Sequence, residues 1–248
     1  HWFTANPKKG FGIHSPFMFY VVSEIINDPT PYYCYASIEA RRKSLLNNHH
    51  KINTTDLGAG SQINNKNKRT IKSIARYSLK PPEQSQLIFR LVNFLNPNSI
   101  LELGTAFGIT TSYLASVNSK SQVITIEGCP SSANIAQETF KKLDINNVEL
   151  LQGSFREKLP LALEKTTTLD FVFFDGHHKK EATLEYFHQC LPLAHNHTVF
   201  IFDDIYYSPE MLASWEKIKK HSKVKVSLDL FFMGIIFFKK ELKKQHFK

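Results

Sequence analysis

Ile100-Leu101-Glu102-Leu103-Gly104-Thr105-Ala106-Phe107-Gly108 is a short apolar run that ends in an acid and a glycine, with a second glycine four residues on. The run reads as a strand, and the pattern over 110–117 that follows it reads as a helix. A strand, a glycine turn and a helix in that order form the place where open α/β sheets bind their ligands. A dinucleotide fold needs G-x-G-x-x-G, which brings backbone N–H groups against a pyrophosphate. Here the spacing is E-x-G-x-x-x-G. Glu102 would repel a pyrophosphate but attracts an ammonium group, so the loop favours a cationic amino-acid cofactor over NAD.

Outward from this stretch the texture is regular. Strand-like runs at 99–103, 122–127, 148–152, 169–175 and 198–203 alternate with helical patterns near 110–117, 131–143, 156–164, 179–190 and 209–221. Such alternation predicts an α/β fold with a Rossmann-like, doubly wound, mainly parallel sheet. Two further runs, 223–230 and 233–239, flank a very short connection and predict a C-terminal hairpin that adds one antiparallel strand. Pro81-Pro82 opens another helical pattern and marks a boundary. We therefore expect an N-terminal extension or lid over 1–80 and a cofactor-binding domain over 81–248.

The loop and its neighbours resemble the class I S-adenosylmethionine-dependent methyltransferases, over roughly 83–240. The resemblance implies that Glu102, Gly104, Thr105, Phe107 and Gly108 line the methionine end of the cofactor. It implies that Glu127, with Gly128 beside it, accepts hydrogen bonds from both ribose hydroxyls, a task suited to an acceptor-only carboxylate. Gly153-Ser154-Phe155 matches the family's loop beside the adenine, where many members carry Asp in place of Ser154. A second glycine motif, Asp56-Leu57-Gly58-Ala59-Gly60-Ser61, lacks a following amphipathic helix and reads as a turn rather than as the cofactor loop.

Two later strands end in acids: Phe174-Asp175-Gly176-His177-His178 and Phe202-Asp203-Asp204. In neighbouring parallel strands these carboxylates converge at the ligand edge of the sheet. Their mutual repulsion is relieved by protonation or by a cation, and an all-oxygen set selects Mg²⁺, with Mn²⁺ or Ca²⁺ as alternatives. Capping of helices and turns without metal is the other use open to them. The arrangement resembles the metal-dependent O-methyltransferases of catechols and caffeoyl-type thioesters, with Asp175, Asp203 and Asp204 as metal ligands and Asp204 in the place of an Asn. The D-G-x-H variant at Asp175 is similar to sugar- and antibiotic-modifying members, which implies His178 as the base for the acceptor hydroxyl.

Composition bounds the rest. The chain has 248 residues, 31 Lys+Arg against 22 Asp+Glu, and 42% hydrophobic residues, an ordinary globular balance that excludes collagen-like and disordered classes. Cys34, Cys129 and Cys190 are widely spaced and contain no C-x-x-C pair, so we expect a reducing, cytoplasmic setting without a disulfide framework. No apolar run reaches the roughly 20 residues of a membrane span. Residues 1–80 carry 12 Lys+Arg and 4 Asp+Glu, densest at Arg41-Arg42-Lys43 and 66–72. That excess motivates an alternative, methylation of RNA or another macromolecule, although no RNA-binding module is present. Gly10-Phe11-Gly12-Ile13-His14-Ser15-Pro16 resembles the start of bacterial methyltransferase-like proteins, with His14 read as structural, and Lys239 to Lys248 reads as a solubilising tail. A small-molecule O-methyltransferase leads, and the sequence leaves a homodimer open.

Overall fold

The computed structural model describes residues 15–55 and 68–248. The 10–14 part of the first glycine loop, with His14, and the Asp56 to Ser61 motif lie outside them. The first element is α1 (Pro16–Tyr20), capped by the Ser15 side chain and continued by a π-helical turn, Val21–Ile26. Next come α2 (Tyr35–Leu46), an antiparallel pair of β1 (Lys51–Asn53) and β2 (Lys68–Thr70), and α3 (Ile71–Ser78), capped by Thr70. In α4 (Pro82–Leu95) a proline sits at the first helical position, where its missing N–H costs nothing.

From there strands and helices alternate: β3 (Ser99–Leu103), α5 (Ile109–Ala115), β4 (Gln122–Glu127), α6 (Pro130–Lys142), β5 (Val148–Gln152), α7 (Phe155–Glu164), β6 (Leu169–Phe174), α8 (Lys180–Cys190), β7 (Ala194–Asp203) and α9 (Pro209–Lys220). The hairpin follows as β8 (Val226–Asp229) and β9 (Met233–Phe237), and β10 (Gln245–Phe247) ends the chain. The sheet runs β10-β8-β9-β7-β6-β3-β4-β5, with β9 antiparallel to both of its neighbours. Strand order reverses between β3 and β6, so the ligand crevice lies beyond their carboxyl ends.

Alternation along the strands divides the core between the two faces. Leu101, Leu103, Ile124, Val172, Phe174, Phe200 and Phe202 pack with α7, α8 and α9, whereas Ile100, Val123, Phe171, Phe173, Val199 and Ile201 pack with α1, α4 and α5. A third cluster ties α2 and α3 to Phe89, Phe107 and Tyr113. Here the structure corrects two readings. The segment read as a solubilising tail contains β10, paired in parallel with β8, and Phe247 is buried. Arg41 and Arg42 are buried as well: Arg41 donates to Thr139 Oγ1 at 3.0 Å and Arg42 to Glu39 Oε2 at 2.8 Å. Two members of the densest basic cluster are therefore internal fastenings rather than a face for a polyanion.

Candidate active site

The glycine loop is shaped by what lies against it. Gly104 has φ +107°, and a Cβ there would sit 2.0 Å from the Asp175 carbonyl oxygen, so only glycine lets the end of β3 close on the end of β6. Asp175 N–H donates to the Leu103 carbonyl at 2.9 Å and completes that junction. Ala106 is held in the left-handed region, φ 48°, by donating its N–H to Glu127 Oε2 at 2.8 Å. Cys129 N–H donates to Glu127 Oε1, also at 2.8 Å. A carboxylate has about four acceptor sites, so Glu127 keeps acceptor capacity for a further donor. Burial raises the Glu127 carboxyl, and the N–H groups of Cys129, Ala106 and Gly128 oppose that shift.

Glu102 is sealed beneath the loop, where its Oε2 accepts from Thr111 and Thr125 hydroxyls. Burial pushes its carboxyl up to about 8. Its Oε1 is buried with no hydrogen-bond partner among the described residues. That orphaned acceptor, together with the glycine cradle at Gly104, fits a cofactor bearing an ammonium group. Thr105 is buried with its hydroxyl 2.6 Å from that of Thr125, and Phe107 is wholly buried in the third core cluster, so both shape the loop from below. Across the crevice, Gly153 N–H donates to the Glu127 carbonyl at 2.9 Å and Ser154 caps α7. The Phe155 ring lies against Gly176, where a Cβ would stand 2.6 Å from its Cε2.

At the acidic edge the structure gathers Asp175, His178 and Asp203, whose ligand atoms lie within 4.8 Å of one another. Asp204 does not join them. It follows Asp203 in a left-handed turn, φ 51°, donates its N–H to the Phe232 carbonyl, and places a half-exposed carboxylate 4.0 Å from His178 Nε2. The Tyr207 ring stands 5.5 Å from that of His178. Of the six non-glycine residues at positive φ among those described, Ala106, His177, Asp204 and Phe231 belong to this crevice or to the turns beside it. Such clustering is typical of sites where the surroundings hold strain in place.

The residue that sequence reasoning missed is Lys80. Its Nζ lies 3.0 Å from Asp175 Oδ2 and contacts Asp203 Oδ2, and both Lys80 and Asp203 are buried. Burial alone would lower the Lys80 ammonium, but Asp175 and Asp203 outweigh it and raise its pKa, so it stays charged. Burial and then Asp175 push the Asp203 carboxyl up, while Lys80 opposes them. The available signal was Lys80-Pro81-Pro82, since a residue before proline is driven out of the helix into extended backbone. A divalent ion expected at Asp175, Asp203 and Asp204 does not fit this donor set: one acid faces outward, and an ammonium lies between the other two.

Residues 101–205 match the family described as Methyltransferase domain. Over this stretch, less than half of its length, the chain is similar to methyltransferase domains. It is similar to the catechol O-methyltransferase of Niastella koreensis, 28% identical over 127 residues that make up 50% of this chain and 57% of that protein. The catechol O-methyltransferase of Mycobacterium tuberculosis is 26% identical over 133 residues, covering 53% and 59%. The chain thus spans less than two thirds of the length of the curated relatives it matches. Among solved structures, the O-methyltransferase of Bacillus cereus in complex with SAH superposes with a TM-score of 0.60 at 18% identity, over 85% of this chain and 93% of that one. The chain therefore has the fold of that structure. No described helix is long and apolar enough to cross a membrane.

Proposed function

We propose that the protein transfers a methyl group from S-adenosylmethionine to the hydroxyl oxygen of a small acceptor. The observation that carries this reading is the meeting, at one switch point, of the Glu102–Glu127 loop with Asp175, His178 and Asp203. When bound, S-adenosylmethionine supplies an electrophilic methyl group. Glu127 would accept hydrogen bonds from the ribose hydroxyls, Glu102 Oε1 would face the amino-acid end, and Phe155 would line the base. The acceptor enters beside Tyr207 and His178, and Asp175 and Asp203 form the floor. His178 Nε2 would take the acceptor's hydroxyl proton, leaving the oxygen to accept the methyl group that the cofactor would supply. Held in line, the reacting atoms gain much of their rate from proximity.

Arg41 and Arg42 are buried, which withdraws two of the twelve basic residues of 1–80 from any polyanion face, and a small molecule is the acceptor we favour. Calorimetry should detect S-adenosylhomocysteine, and Glu127→Ala should weaken its binding about tenfold to a hundredfold, the worth of charge-assisted hydrogen bonds. His178→Ala should keep that affinity while methyl transfer to phenols, catechols or sugars falls by about 10² or more. Tight binding of NAD with no response to S-adenosylhomocysteine would overturn the cofactor assignment. An undiminished rate in His178→Ala would remove the base.

A further inference from the structure

We propose that Lys80 is the resident cation of the acidic edge, a built-in ammonium between Asp175 and Asp203, and that methyl transfer in this protein runs without a divalent metal. The proposal rests on the methyltransferase reading for the reaction and on geometry for the cation.

Three observations carry it. The first is occupancy. Nζ lies at hydrogen-bonding range of both carboxylates, whereas a Mg²⁺ or Mn²⁺ ion needs oxygens at about 2.0–2.2 Å, so it cannot enter without expelling the ammonium. The second is construction. Pro81 follows Lys80 and disfavours helical backbone there, and the Lys80 carbonyl is clamped by Arg42 Nη1. Arg42 is fixed in turn by Glu39 and by Ser85 Oγ at 3.2 Å, and Glu39 accepts from the Tyr113 hydroxyl at 2.8 Å. The Lys80 ammonium also stands 5.2 Å from the centroid of the fully buried Phe173 ring. An accidental surface lysine has no such mounting.

The third observation is charge. Asp175, partly buried, and Asp203, buried, lie on either side of the Lys80 ammonium, and their repulsion must be offset. One ammonium leaves the pair with a single net negative charge. A divalent ion added beside it would place two cations within a few ångströms, where their repulsion is weakly screened. Removing Lys80 leaves the two carboxylates unpaired, the state for which a divalent ion has affinity. Lysine and metal are thus alternatives at this edge.

The test is a Mn²⁺ titration of the full chain followed by electron paramagnetic resonance, with S-adenosylhomocysteine affinity measured on the same samples. Wild type should take up no stoichiometric Mn²⁺ below about 10⁻³ M, the weak end of protein sites for hard cations. Lys80→Ala should bind one equivalent at least about tenfold more tightly, once the repelling charge is gone. The additional change Asp203→Asn should abolish that site. Stoichiometric Mn²⁺ on wild type that disappears in Asp203→Asn overturns the proposal, as does failure of both wild type and folded Lys80→Ala to bind. Should Lys80→Ala not fold, the wild-type titration with its Asp203→Asn control decides alone. Loss of S-adenosylhomocysteine binding in wild type would instead refute the methyltransferase reading and leave the cation result standing.

Discussion

Glu102 and Glu127 are both acids from adjacent parallel strands, and their surroundings set them different tasks. Glu127 at the end of β4 meets backbone N–H groups and keeps outward lone pairs. Glu102 inside β3 meets two threonine hydroxyls, and its other oxygen has no partner among the described residues. Burial raises Glu102 from 4.5 to about 8, so the folded protein holds a proton that the unfolded chain releases. The contribution of Glu102 to stability is therefore full below about 4.5 and is lost as pH rises toward about 8. Glu102→Gln mimics the protonated acid and should flatten this dependence, with a melting temperature at pH 8 at least equal to that of wild type. Melts of both proteins at pH 5 and pH 8 check this; equal falls in the two would show that Glu102 is not the titrating group. This carboxylate was legible as a site residue from its spacing to Gly104, but its protonation was not, because burial is decided by α5 and β4.

Among the elements, α2 supports the Lys80 segment through Arg42. Its hydrophobic residues are too scattered to form one clear stripe, yet Ile38 and Leu45 reach the core while Arg41 and Arg42 point inward to polar partners. Arg42 joins α2 to α4 through Ser85 and to the connecting segment through the Lys80 carbonyl. Arg42→Ala strands a buried carbonyl and the Ser85 hydroxyl, which should cost about 2–3 kcal/mol. In a chain of this size each kcal/mol lowers the melting temperature by about 2–4 °C. S-adenosylhomocysteine affinity should change much less, since the glycine loop is held by β4, β6 and α6. Calorimetric melts and titrations of the variant check both parts; a melting temperature within a degree of wild type would sink the clamp.

At the scale of the whole molecule, the last residues close one edge of the sheet. β10 pairs with β8, His246 Nδ1 lies 2.7 Å from Ser227 Oγ, and Lys244 Nζ donates at 2.8 Å to the carbonyl of Lys220, the last residue of α9. Deleting 243–248 should lower the melting temperature by several degrees and raise light scattering, because the bared β8 edge can pair with other chains. Unchanged melting and scattering would return this segment to a mere solubilising tail. The chain from β3 to β9 could be read in advance because its information is local. Apolar runs of strand length, helix periodicity and turn glycines act within a few residues of one another, and Glu102, Glu127, Asp175 and Asp203 fall where those runs end. Three things only the tertiary structure decided: that Asp204 turns outward while Asp203 turns in, that β10 is a strand, and that Lys80 meets Asp175 and Asp203. The physical reason is that each depends on a partner distant in sequence: Phe232 for Asp204, β8 for β10, and Asp175 with Asp203 for Lys80. By composition, lysine and arginine belong in water, and they enter a core only when distant segments bring buried oxygens to meet them. No local pattern in the sequence records that meeting.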